Sequence, residues 1–384
     1  MNILHLSQTD IKSDSRILKE MKSISKHSTK PSLYGLGVKM HKGKETNDLG
    51  NLQIDSIILS SRNITFLPKT IIHIFTVLEL MFKMFFKALK IKPTIIHCHD
   101  TPVLPLGIIL KLFTNATIIY DAHELESNRN ALSKVSSKLT LFTEKILWRF
   151  VDTLIIVSPS IEKWYKENIG KKDSVVILNS PVLEKEVDNA NEEYLREYFS
   201  ISKNSRIFLY VGGLMPGRGI DLITDAFKSP GLKSSLVFLG YGELSNDLKE
   251  LGQEYPNIYV HDAVAHEKVI SIAKSADVGL CFIQNVSLSD YYCLPNKLFE
   301  YCFSEIPVLA SDFPDISKVV RKYNLGECSD LNVKSITNSI KKFENMDTLP
   351  KINVNDLYNL SWDAQEEKLL SLYTKLINKN NLKG

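Results

Sequence analysis

Leu294-Pro295-Asn296-Lys297-Leu298-Phe299-Glu300-Tyr301, separated by four residues from Ile306-Pro307-Val308-Leu309-Ala310-Ser311, reads as a helix opening at a proline and then a short apolar strand. Proline suits a helix start, where its missing N–H would lack a partner anyway. The first free N–H groups and the positive end of such a helix make an anion site. Glu300 falls about one turn further in, within reach of hydroxyls on the same ligand. A phosphate at the tip and a diol one turn away together describe a nucleotide. The plainer reading is an ordinary helix start in an α/β protein, and the rest of the chain must decide.

The same alternation repeats outward. In the first half, apolar β-rich runs fall at Ile3–Leu6, Ser32–Leu36, Gln53–Ile58, Thr94–His97, Thr117–Tyr120, Thr153–Val157 and Ser174–Leu178. Helical patterns at Ser15–Ser25, Lys69–Leu89, Val135–Arg149 and Ile161–Glu167 separate several of them. After a polar, acidic stretch from Glu184 to Glu197 the pattern restarts, with strands expected at Ile207–Val211, Leu236–Leu239, Ile258–Val260, Val278–Phe282 and Val308–Ala310. Apolar strands with helical crossovers imply parallel sheets covered on both faces. The chain therefore reads as α/β, two doubly wound Rossmann-like domains, residues 1–181 and 182–361, joined near Asn179-Ser180-Pro181. Ligands of such sheets bind at the carboxyl ends of the strands. Residues 362–384 carry a terminal helix with apolar positions at Leu369, Leu370, Leu372, Tyr373 and Leu376.

A length of 384 residues allows each domain its own core. Charged residues make up 24% and the net charge is +3, which argues against a nucleic-acid partner held by a broad basic surface. The five cysteines, Cys98, Cys281, Cys293, Cys302 and Cys328, show neither zinc spacing nor a paired framework, as expected of free thiols in a reducing cytoplasm. Met1–Leu6 is too short for a signal peptide and reads as a buried strand. The apolar stretch Thr70–Leu89 contains His73, Glu79, Lys83 and Lys87, which makes it a poor spanning helix. With Lys69, Lys83, Lys87, Lys90 and Lys92 around it, it fits either an anionic membrane surface or a buried helix with lysines at its rim.

Two histidine clusters close neighbouring strands, Ile95-Ile96-His97-Cys98-His99-Asp100 and Tyr120-Asp121-Ala122-His123-Glu124-Leu125. His97 and His99 are two apart and share a strand face. With Asp100 and His123 they offer a metal site, and so a metal-dependent hydrolase is one alternative. Against it, Asp100 arrives one residue early for the His-x-His-x-Asp-His pattern and no His follows it. A hydrogen-bonded core histidine is the structural alternative for His97. Asp14 or Ser15 suits the N-cap of the first helix, which carries Arg16.

Gly212-Gly213-Leu214-Met215-Pro216-Gly217-Arg218-Gly219 follows one strand of the second half, and Gly240-Tyr241-Gly242 follows the next. Glycines let a backbone approach a ligand closely, although a tight structural turn needs them equally. Arg218 can hold a diphosphate with paired hydrogen bonds. His261, at the end of another strand, reads as a surface histidine or as part of a base pocket.

Four segments, Asp14–Glu20, Tyr120–Leu125, Val211–Asp221 and Leu294–Ser311, resemble the glycosyltransferases of family 4, in particular the branch carrying Pro-Asn-Lys-Leu-Phe-Glu. The resemblance implies the GT-B architecture, two such domains facing across a cleft, with the terminal helix returning to the first domain. It implies a retaining, metal-independent hexosyltransferase without a cofactor, moving sugar from a nucleoside diphosphate sugar to a saccharide or lipid-linked saccharide acceptor. Gly212, Gly213, Arg218, Gly240, Asn296, Lys297, Leu298 and Glu300 would bind the donor, with Glu300 on the ribose. His123 would hold the sugar, while Arg218 and Lys297 stabilise the leaving diphosphate. Arg16, His99, Asp100, Asp121, Glu124 and Tyr292 would border the acceptor or the cleft.

Two departures stand out: Leu214 where many members have arginine, and Tyr292 where many have a first glutamate. By the same analogy the setting is bacterial surface polysaccharide (capsule, O-antigen, lipopolysaccharide or exopolysaccharide), at the cytoplasmic face of the inner membrane. A sugar-nucleotide epimerase of the same architecture is the other alternative.

Overall fold

The protein is described here by a computed structural model covering residues 1–39, 51–64, 68–182 and 191–381. Half of the acidic stretch expected to separate the domains, 184–190, and the last residues expected in the terminal helix, 382–384, lie outside the described residues. The chain divides into two compact units, Met1–Ile177 with Glu366–Gly384, and Leu178–Gln365.

Unit 1 contains β1 (Asn2–Leu6), α1 (Ser15–Ser25), β2 (Ser32–Val38), β3 (Gln53–Ile57), α2 (Lys69–Ile91), β4 (Ile95–His99), α3 (Leu104–Thr114), β5 (Thr117–Ala122), α4 (Lys134–Leu147), β6 (Thr153–Ile156), α5 (Pro159–Asn168) and β7 (Ser174–Val176). Its strands are all parallel, in the order β3-β2-β1-β4-β5-β6-β7. The direction of winding reverses between β1 and β4, the place where open α/β sheets bind ligands. β4 and β5 are buried along their whole length, as expected for central strands covered on both faces. Local chemistry sets the helix ends: Asp14 caps α1 by accepting from the Ile17 N–H, and Ser133 and Ser158 do the same for α4 and α5. Asn115, left-handed, ends α3.

Unit 2 contains α6 (Tyr194–Phe199), β8 (Ile207–Val211), α7 (Ile220–Phe227), β9 (Ser235–Leu239), α8 (Ser245–Glu254), β10 (Ile258–His261), α9 (Val269–Ala273), β11 (Val278–Cys281), α10 (Leu288–Tyr291), α11 (Asn296–Phe303), β12 (Val308–Ser311), α12 (Pro314–Lys322), β13 (Gly326–Ser329) and α13 (Val333–Glu344). Its parallel sheet runs β10-β9-β8-β11-β12-β13, with the switch point between β8 and β11. Phe208, Tyr210, Phe227, Phe238, Phe282 and Phe343 belong to its core.

The last helix, α14 (Trp362–Asn381), starts in unit 2 and carries the chain back into unit 1 from Glu366 onward. The sequence reading placed the boundaries at 181 and 362; the structure divides after Ile177 and after Gln365. Among the described residues, no helix is long and apolar enough to cross a membrane.

Candidate functional site

In unit 2, charged and glycine residues gather at the β8/β11 switch point. β8 ends at Val211, and the chain turns at Gly212 with φ +121°. Gly240, following β9, comes so near that a Cβ on it would lie 1.9 Å from the Gly212 carbonyl oxygen. The two loops pair through their backbones, Gly212 N–H donating to Leu239 O at 3.0 Å and Leu214 N–H to Tyr241 O at 2.9 Å. Gly240, expected to bind the donor, is thus required by the approach of one loop to another.

α11 is fixed to this point by Tyr301, which the sequence reading did not single out. Its hydroxyl accepts from the Val211 N–H at 2.8 Å and lies 3.0 Å and 3.2 Å from the carbonyl oxygens of Leu209 and Leu280. Gly279 on β11 makes room for the ring, since a Cβ there would meet it at 2.3 Å. Four residues earlier, on the same helix face, Lys297 is 8% exposed, with Nζ 3.4 Å from the centre of the Tyr210 ring. A Cβ on Gly212 would stand 3.9 Å from that nitrogen. Nζ has no hydrogen-bond partner among the described residues. A buried ammonium without an acceptor is costly, and an anion at the helix tip would satisfy it.

Asn296 is exposed on the first turn, while Leu298 is buried and its N–H donates to Pro295 O at 3.0 Å. Glu300 is buried, its Oε1 3.7 Å from His266 Nδ1. Arg218, half-exposed, lies 3.5 Å from Asp290, whose other oxygen accepts from the Ser287 hydroxyl at 2.7 Å. Gly213 and Tyr292 are half-buried, and the Tyr292 ring packs on Tyr291. His261 is not at the surface: it is 6% exposed, its Nε2 2.9 Å from the Tyr194 hydroxyl.

Unit 1 holds a second constellation. Strand register sets His5 opposite His97, and His99 opposite Asp121. Alternate strand residues share a face, so these four side chains converge, and α1 adds Arg16 and Glu20, four residues apart. All six are buried. Arg16 Nη2 lies 3.2 Å from Asp121 and 3.1 Å from Glu20, and Nη1 donates to Ile177 O at 3.3 Å. Arg16 was expected to reach acceptor or phosphate; instead its guanidinium is consumed inside the domain. His99, Asp100 and Asp121, expected to border a cleft, are also interior, whereas Glu124 is exposed.

The imidazoles form a chain. His5 Nδ1 and His99 Nε2 are 2.9 Å apart, and His99 Nδ1 and His123 Nε2 are 3.1 Å apart. His123 Nε2 also lies 3.2 Å from Asp121 Oδ2, while His97 Nδ1 meets the Tyr373 hydroxyl at 2.8 Å. Burial opposes ionisation of Asp121, but Arg16 and His123 prevail and hold its carboxyl well below the usual range. Burial works against a charge on His123 too, yet Asp100 and Asp121 raise its pKa to about 10. Burial, then the charge on Asp121, lifts Glu20 to about 8. Burial and then His99 bring His97 down to about 3, and burial likewise lowers His5 and His99.

At neutral pH the network is therefore an ionised Asp121 between a guanidinium and an imidazolium, with Glu20 and three histidines neutral. An imidazolium donating from Nε2 to His99 would leave His99 accepting at Nδ1 and donating from Nε2 to His5. Asp100 stands at the end of β4 with φ +67°, a strained backbone for a non-glycine. Its N–H donates to Asp121 O at 2.9 Å and its carboxylate accepts from the His123 N–H at 3.3 Å.

Donor atoms of Glu20, His97, His99 and Asp121 lie within 4.8 Å of one another, as do those of His5, His97 and His99. The expected set of His97, His99, Asp100 and His123 is not the one brought together. Arg16 already supplies the positive charge facing both carboxylates, and a dication would have to sit against it. His5, Glu20 and Tyr373 were missed as members of this network. For Glu20 a signal was present, the arginine four residues before it.

Residues 191–355 match the family model for glycosyl transferases group 1, so unit 2 is a glycosyltransferase group 1 domain. An uncharacterized glycosyltransferase of Methanocaldococcus jannaschii is 25% identical over 251 residues, 60% of this chain and 59% of that protein. The chitobiosyldiphosphodolichol beta-mannosyltransferase of Candida albicans is 25% identical over 252 residues, 59% of this chain and 54% of that protein. The match thus spans less than two thirds of either relative. Among solved structures, sucrose-phosphate synthase from Thermosynechococcus elongatus superposes with a TM-score of 0.75 at 15% identity, covering 99% of this chain and 100% of that one. That likeness shows the GT-B fold, two parallel-sheet Rossmann-like domains.

Proposed function

We propose that the protein transfers a hexose from a nucleoside diphosphate sugar to an acceptor hydroxyl, with retention of configuration and without a metal. The observation that carries this reading is the buried, unpartnered ammonium of Lys297 at the start of α11, beside Gly212. A diphosphate arriving there gives it an acceptor without breaking an existing hydrogen bond. Arg218 would add a second positive charge, exchanging Asp290 for phosphate oxygens. Together they would stabilise the charge that develops on the leaving diphosphate. Glu300, one turn further, would accept from ribose hydroxyls. For His123 the resemblance supplies the role, holding the transferred sugar, and its retention as an imidazolium suits charge near a breaking bond.

The acceptor we infer is a lipid-linked saccharide of a bacterial surface polysaccharide, handled at the cytoplasmic face of the membrane. The relative named for a dolichol-linked substrate supports the lipid carrier by analogy.

The test is thermal stabilisation by UDP-, GDP-, ADP- and CMP-linked sugars and the free nucleotides, with chelator and separately with added manganese. A ligand that binds the native state raises its melting temperature by mass action. One nucleoside diphosphate should do so in chelator, and Glu300→Ala should abolish the shift. A shift that appears only with manganese, or none with any nucleotide, would overturn the reading.

A further inference from the structure

α2, α3 and α4 turn apolar side chains outward. On α4, Val135, Leu139, Phe142 and Ile146 are all exposed, Val135 at 77%. Their spacing puts them on one arc of about 60° at 100° per residue. On α2, Ile71, Phe75, Leu78, Phe82 and Phe86 repeat that spacing and are exposed as well. α3 packs against both helices and ends in exposed Leu112 and Phe113. Phe113 meets Phe85 of α2 with ring centres 5.5 Å apart. A helix covering a sheet ordinarily shows water its polar side; here two present an apolar stripe. A soluble monomer rarely leaves so large a contiguous patch uncovered.

The exposed charged side chains of these three helices are all basic. α4 shows Lys134, Lys138 and Lys145 beside its stripe, with Arg149 just beyond, and Lys90 and Lys92 are exposed at the end of α2. The three helices carry two carboxylates, and both turn away from the patch. Glu144 is buried and accepts from the hydroxyls of Tyr120 and Tyr165. Glu79 accepts from the Ser60 and Ser61 N–H groups and from Lys83. Lys83 and Lys87, the obvious basic groups in the sequence, are spent on Ile58 O, Glu79 and Asp55.

We propose that this face of unit 1 docks on an anionic bilayer, with the two stripes entering the acyl boundary and the α4 lysines meeting the headgroups. A second protein copy would place like-charged rims against each other, whereas anionic lipid neutralises them. The proposal stands on unit 1 alone and does not require the donor site; that it brings the enzyme to a lipid-borne acceptor rests on the proposed function.

Co-sedimentation of the whole protein with phosphatidylcholine vesicles, with and without phosphatidylglycerol, tests it. Wild type should pellet with the anionic vesicles and be released by salt. Leu139→Glu with Phe142→Glu, and separately Phe82→Glu, should each lower partitioning about tenfold or more, about 1.4 kcal/mol. Lys138→Glu with Lys145→Glu should remove the salt dependence. Unchanged melting and nucleotide binding in all variants would show that only docking was lost. Wild type left in the supernatant with both vesicles, binding indifferent to these substitutions, or a dimer in light scattering that Phe142→Glu dissolves, would overturn the proposal.

Discussion

The Lys297 ammonium stands over the face of Tyr210, 3.4 Å from the ring centre, and that ring is its compensation for burial. A desolvated cation–π contact is worth about 2 kcal/mol, less than the several kcal/mol that removal of an ammonium from water costs. The ring thus offsets only part of the cost of burying this ammonium, and an anion would relieve the rest.

Lys297→Met should separate binding from stability. The thioether fills the same space and removes the orphaned charge, so the unliganded variant should melt at or above the wild-type temperature. Its nucleotide-induced shift should vanish and turnover should fall about 100-fold or more, about 2.7 kcal/mol of transition-state stabilisation. Calorimetric melting with and without nucleotide checks both halves.

Tyr301→Phe should act one turn further along the same helix face. It leaves the Val211 N–H buried without its acceptor, which costs about 1–3 kcal/mol. With α11 no longer pinned to β8, Lys297 loses its placement beside Gly212, and nucleotide affinity should fall as well. Urea unfolding and nucleotide titration of the same preparation measure the two effects.

The carboxylates under α1 should respond in opposite ways. Asp121→Asn strips Arg16 of its ionised partner and should cost about 3–5 kcal/mol, as for a buried charge left unpaired. Glu20→Gln replaces a group already neutral at pH 7 and should cost under about 1.5 kcal/mol. Urea denaturation at pH 7 distinguishes them.

Stability should peak near neutrality. His5, His97 and His99 bind protons less readily folded than unfolded, so their contribution is complete above about pH 6.5 and declines as pH falls below it. Glu20 and His123 bind protons more readily folded, at about 8 and about 10. Their contributions are complete below the unfolded values and are lost as pH rises through the folded ones. Melting temperatures across pH 5 to 10 should trace the dome, and Glu20→Gln should flatten its alkaline side between pH 7 and pH 9.

Most strands were legible because central parallel strands are continuous apolar runs, as in Ile207–Val211 and Thr117–Tyr120. β13 was not, because Gly326-Glu327-Cys328-Ser329 is a polar edge strand, half-buried and four residues long. α3 carries apolar residues almost throughout, which hid its helical period. The motifs around Lys297 and Glu300 were visible as local spacing. Pairing across distance was not: nothing in Leu4-His5-Leu6 announces that register will set His5 beside His97, and Tyr373 read as one more apolar position of a terminal helix.

Tyr373 is one of several residues through which the final helix makes distant pairings. Tyr373 holds His97, Thr374 meets His27, Glu366 bonds Lys26, and Asn380 meets Thr117. On the ribosome, residues 366–381 emerge only after every strand of unit 2 has been made. The amino-terminal unit, synthesised first, must therefore wait with its α1 face uncovered until synthesis has passed the other domain. Order of synthesis and order of completion are reversed for unit 1, and emergence of α14 is the event that closes it.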